Sequence, residues 1–64
     1  MKRNKLLQHL RMYGCILKRE GSAHSLYINR SNGSIETVPR HSDIDEMLAR
    51  KICKGLGIPT PKIN

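Results

Sequence analysis

Ser31-Asn32-Gly33-Ser34 lies between two alternating apolar runs, and Asn-Gly in that setting is the strongest short-range hairpin signal. Both central residues tolerate the positive φ of a two-residue type I′ turn, so the quartet predicts a tight antiparallel reversal. Before it, a strand is expected over about residues 24 to 30. After it, another is expected over Ile35 to Val38, closed by Pro39, which has no N–H to give a ladder. Alternation along the first of these assigns Leu26 and Ile28 to the buried face, takes His24 with them, and turns Tyr27 to the open face.

Working outward, Cys15-Ile16-Leu17-Lys18-Arg19 reads as a preceding strand, ended by Glu20-Gly21-Ser22. Leu6, Leu7, Leu10 and Tyr13 recur at helical spacing with Gly14 as a stop, which predicts a helix over roughly residues 2 to 13. On the other side, Ile44, Leu48, Ile52 and Leu56 fall every four residues with Met47 beside them, marking an amphipathic helix. Either Ser42 or Asp43 is placed to cap its start. Asp43, Asp45 and Glu46 come first and Arg50, Lys51 and Lys54 last, an order that complements the helix dipole. Gly57 ends the helix, and Pro59 and Pro61 keep it from resuming. The expected class is α+β, in the order α-β-β-β-α. A three-stranded antiparallel sheet carries both helices on one face and leaves the other open, as a single domain over residues 1–64.

A chain of 64 residues without Phe or Trp must build an aliphatic core. A domain this small buries only about 60% of its unfolded surface, so an enclosed pocket is not expected and any chemistry belongs on the surface, against a large substrate. Lys and Arg number 12 against 5 Asp and Glu, a net charge of +7, which favours a polyanion through counterion release; the alternative is charge kept for solubility. No apolar run approaches the roughly 20 residues of a membrane span, and Gln8, His9 and Arg11 interrupt any signal-like start. A cytoplasmic location away from membranes is therefore expected. Cys15 and Cys53 are too few for a disulfide framework and match no zinc spacing with the three histidines, so both are expected to be small buried residues. No metal or other cofactor is expected.

Three segments carry a resemblance. Lys18-Arg19-Glu20-Gly21-Ser22-Ala23-His24-Ser25-Leu26-Tyr27 resembles the R-x-x-G-S-H-x-x-Y segment of HicA toxins. Thr37-Val38-Pro39-Arg40-His41 is similar to that family's T-V-P-x-H segment, and residues 48–59 resemble the closing helix of one HicA-like branch. The likeness runs in order over nearly the whole chain. The arrangement is also that of the double-stranded-RNA-binding fold. The resemblance implies an endoribonuclease that cleaves mRNA, arrests growth and is neutralised by a HicB-like antitoxin. It places the catalytic residue on His24. The family commonly has Ser just before that histidine, where this chain has Ala23 with Ser22 one place earlier.

The residues themselves allow the same chemistry. RNA carries its own nucleophile, the 2′-OH, beside each phosphodiester, and histidine titrates close enough to neutrality to move protons in either direction. Lys18, Arg19 and Arg40 are the local cations for the charge gathering on phosphorus, and Ser22 is a nearby hydroxyl. Tyr27 on an open face is placed to stack on a base. His41 either touches substrate or braces the turn before the last helix. A non-catalytic reading of His24, as an edge residue packed against a helix end, stands beside the catalytic one. So do two other classes: a double-stranded-RNA-binding module without catalysis, and an adaptor for a protein partner. The acidic start of the last helix counts against the module, since such a helix meets phosphates with cations. His9 is expected to be solvated. Lys2, Arg3 and Lys5 stand where a helix prefers acids, a weak sign of phosphate contact.

Overall fold

The computed structural model describes residues 1–61. The last three residues of the domain expected over 1–64 lie outside them. Helix α1 (Arg3–Met12) leads into β1 (Cys15–Glu20), β2 (His24–Asn29) and β3 (Ile35–Pro39), and α2 (Glu46–Gly55) follows. The strands form one antiparallel sheet in the order β1-β2-β3. The expected α-β-β-β-α order and antiparallel sheet are thus what the chain adopts. None of the described helices is long and apolar enough to cross a membrane.

The core gathers Leu6, Leu7 and Leu10 from α1, Cys15, Tyr27 and Val38 from the strands, Ile44, and Ala49, Ile52, Cys53 and Leu56 at α2, with Ile58 closing it. Both helices lie over this one face. The stripe on α2 is turned from the expected one, since Met47 is 78% exposed and Ala49 and Cys53 are buried in its place. The start of α2 explains the shift. Residues 42–44 are extended and pair with the N-terminal segment: Arg3 N donates to Ser42 O and Ile44 N to Met1 O, both at 2.8 Å. Their backbone is committed there, so neither Ser42 nor Asp43 caps the helix, which begins after Asp45 without a side-chain cap.

The strand phase is also the reverse of the expected one. Ser25, Tyr27 and Asn29 point into the core, while Leu26 and Ile28 lie half-buried on the outer face. Hydrogen bonds make this phase tolerable, because a buried polar group is costly only when unpaired. Asn29 Nδ2 donates to Leu56 O at 2.7 Å, and Ser31 N donates back to Asn29 Oδ1 at 2.9 Å. Asn32 Nδ2 reaches the same Leu56 carbonyl at 3.2 Å, so the last residue of β2 and the hairpin loop each supply one donor to the end of α2. That duty changes the turn. The loop spans residues 30–33, Gly33 N donates to Asn29 O, and only Gly33 has a positive φ, 76°; Asn32 does not. The two-residue type I′ turn is therefore replaced by a four-residue loop, with Asn29 just before it and Asn32 within it bound to the helix end. The helix itself closes in a Schellman motif, with Ile58 N donating to Cys53 O at 3.0 Å and Gly57 N to Lys54 O at 3.1 Å around Gly57 at φ 73°.

Cys15 and Cys53 are free and buried, as expected for small apolar residues. Burial, helped by the neighbouring Cys15, pushes the Cys53 thiol from 9.0 up to about 11. The folded state therefore holds this thiol neutral at pH values where the unfolded chain ionises it. The stability this confers is full below about pH 9 and is lost as pH rises toward 11, to a total of about 3 kcal/mol at 1.36 kcal/mol per pK unit. Urea midpoints are expected to fall between these pH values, and to fall less in Cys53→Ala. Equal falls in the two proteins would remove Cys53 as the cause.

Candidate active site

His24 is the first residue of β2, and its side chain is exposed on the outer face of the sheet. This corrects the expected burial of His24 with Leu26 and Ile28: the residues of its parity face outward. Its carbonyl accepts the N–H of Gly21 at 2.8 Å, closing residues 21–24 into a tight turn. Glycine is required there by space. A Cβ at Gly21 would stand 2.9 Å from His24 O, closer than carbon and a backbone oxygen approach without displacement. Across the sheet His24 pairs with Pro39, and the next residue, Arg40, donates from Nη1 to Gly21 O at 3.2 Å. One cation is thereby drawn onto the turn that presents the imidazole.

Behind the turn, on the inner face, Ser25 is fully buried. Its Oγ donates to Glu20 Oε1 and accepts from Arg3 Nη2 at 2.9 Å, while Arg3 Nε donates to Pro39 O at 2.8 Å. Arg3 thus ties the first turn of α1 to β2 through Ser25, to β3 through Pro39, and by way of Ser25 to the end of β1. The backbone on both sides of His24 is held by this chain of polar contacts. Nothing in the local sequence pattern marks Ser25 or Glu20, and Arg3 stands out only by its awkward place in the first turn of a helix.

A β-bulge sets the remaining cations. Between Leu17 and Arg19 the β1–β2 register slips, so that Leu17 pairs with Tyr27 and Arg19 with Leu26. Lys18 is the extra residue, Arg19 joins the outer face that His24 shares, and Glu20 turns inward to Ser25. Bulges are common beside functional sites because they re-aim a side chain in this way. Lys18, Arg19 and Ser22 are all exposed, Ser22 in the bend before His24. His41 is exposed after Arg40, and no described hydrogen bond ties it to the turn. Tyr27 is corrected. It is 6% exposed within the core, because the strand phase is reversed, and an aromatic sealed there has no face for a base. The place expected for it is taken by an apolar row, with Ile16 and Ile35 flanking Ile28 across the strands. His9 is likewise not free: its Nε2 hydrogen-bonds Pro59 O at 2.7 Å.

The site is therefore a solvent-facing imidazole on a braced turn to which Arg40 is bound, with Arg19 on the same outer face of the sheet, the side that neither α1 nor α2 covers. Such a group can exchange protons with a bulky substrate that an enclosed pocket would exclude. No curated protein and no solved structure matches the chain. One protein family, described as HicA toxin of bacterial toxin-antitoxin, matches residues 3–58, a span that takes in both helices, all three strands and the His24 turn. With so much of its length matched, the chain belongs to the HicA toxin family of bacterial toxin–antitoxin systems.

Proposed function

We propose that this chain is the ribonuclease toxin of its pair: a metal-independent endoribonuclease that cleaves mRNA in the cytoplasm and is neutralised by a HicB-like antitoxin. The observation that carries the reading is the exposed His24 imidazole on a turn fixed by Gly21 and Arg40. His24 takes the proton of the 2′-OH as that oxygen attacks the adjacent phosphorus. The P–O5′ bond then breaks, and the imidazolium returns its proton to the departing 5′-oxygen. The products are a 2′,3′-cyclic phosphate and a 5′-OH end. Arg40 and Arg19 lower the cost of charge on the phosphoryl oxygens, Lys18 adds to the field, and Ser22 and His41 border the path of the strand. The antitoxin is acidic where it meets this surface and covers His24 or the cations around it. A double-stranded-RNA-binding module is the weaker reading, because α2 opens with Asp45 and Glu46, which repel phosphate.

The test uses RNA oligonucleotides with chelator present. An all-ribose strand is expected to be cut to cyclic-phosphate ends. The same strand carrying one 2′-deoxy residue at the cut position is expected to resist at that position alone. Cleavage of the deoxy position at the ribose rate would overturn the internal-nucleophile mechanism.

A further inference from the structure

We infer that the cleft beside the first turn of α1 is a second phosphate subsite, which holds the backbone of the RNA strand beyond the linkage presented to His24; this rests on the ribonuclease reading above. The cleft has a volume of about 480 Å³ and is lined by Lys2, Arg3, Lys5 and Arg40, with Gln8 and Ser42 among its polar walls. Its cations come from two chain segments that the fold brings together, the start of α1 and the loop after β3. The first turn of α1 holds no acid, although the partial positive charge of a helix start favours one. Asp43, which Lys2 Nζ meets at 3.4 Å, is an exposed partner of that one lysine and neutralises little. Crowding like charges there is unfavourable unless an anion joins them.

The side chains, rather than free helix N–H groups, make this site, since Arg3 N is already donated to Ser42 O. Arg3 is oriented in advance by its bonds to Pro39 O and Ser25 Oγ. Arg40 is the link to the proposed catalytic centre, because it lines the cleft and also donates to Gly21 O in the turn that presents His24. A polymer lying across His24 that meets Arg40 is thereby brought to the cleft. A small anion could fill the cleft, but only a chain of phosphates uses its continuity with the turn. The subsite supplies affinity and register rather than chemistry.

The test measures binding of a labelled single-stranded RNA by the His24→Ala chain across a salt titration, with and without Lys2→Gln/Lys5→Gln. Cleavage by the corresponding active chains is followed in parallel. Removing two phosphate contacts is expected to flatten the log–log salt slope by about 1.4, at about 0.7 per contact on single strands, and to weaken low-salt binding roughly tenfold. KM should rise by a similar factor and kcat change less. Lys2→Arg/Lys5→Arg should keep the parent slope, and both variants should melt with the parent.

An RNA-binding parent whose slope and KM are unmoved by the glutamine pair overturns the cleft and leaves the ribonuclease reading standing. RNA bound but not cut overturns the reading of His24, while a flattened slope still supports the cleft. No RNA bound by any chain overturns both. If the glutamine pair loses binding of polyglutamate but not of RNA, the cleft belongs to an acidic protein and the inference fails.

Discussion

A His24→Ala chain is expected to fold as the parent does and to cleave RNA about 10²–10⁴-fold more slowly, the usual worth of a positioned general acid–base. The two halves of this expectation separate because of how the residue is used. Its side chain is exposed and fills no part of the core, so truncation opens no cavity. Its contribution to the turn is made through the backbone carbonyl that accepts from Gly21, and alanine keeps that carbonyl. Surface changes of this kind fall within about 0.5 kcal/mol of the parent in stability. The cations remain, so RNA affinity should be retained. Single-turnover cleavage at saturating protein, beside a thermal melt and an RNA-binding curve, measures all three. A folded, RNA-binding His24→Ala chain that cuts at the parent rate removes the imidazole from the mechanism. In that case the neighbouring exposed His41 becomes the group to examine.

Periodicity and turn chemistry made the element order legible, since they depend on residues near one another in the chain. Leu6, Leu7 and Leu10, the Gly14 stop and the Asn-Gly reversal all lie where the pattern placed them. What the pattern could not supply was the use made of side chains by distant elements. Leu26 and Ile28 are more apolar than Ser25 and Asn29, so alternation alone favours burying the wrong set. The true phase follows from partners outside the strand: Arg3 from α1 and Glu20 across the turn for Ser25, and the Leu56 carbonyl at the end of α2 for Asn29. The same phase removes Tyr27 from the site and brings His24 to the surface. The helix start fails for a related reason, because pairing of residues 42–44 with the N-terminal segment is a tertiary event with no local signature. For the site, histidine and its flanking cations were visible as residue types. The bulge at Lys18, which decides that Arg19 faces outward, was not.

Gly21→Ala is expected to lower kcat by about ten- to a hundredfold, the scale of loss when a reacting group is displaced by a fraction of an ångström to one ångström. The obstacle to the new methyl is His24 O at 2.9 Å, a backbone atom that cannot swing aside as a flexible side chain would. Relief requires either that the Gly21 N–H to His24 O bond lengthen or that the start of β2 move, and both displace the imidazole's own Cα. Arg40 is carried along, because it is bound to the carbonyl of the same glycine. Losing one such hydrogen bond costs about 0.5–1.5 kcal/mol, so the protein should remain folded at moderate temperature. Gly14→Ala supplies the comparison. Gly14 sits at φ 81° with no atom within 4 Å of the place a methyl would take, so alanine there is strained by about 1–2 kcal/mol but meets nothing near His24. The two variants should therefore lose similar stability and differ in kcat, with Gly14→Ala cutting saturating RNA at the parent rate. Equal kcat in the two, measured well below both melting temperatures, would reduce Gly21 to an ordinary turn residue and deny it any part in aiming His24.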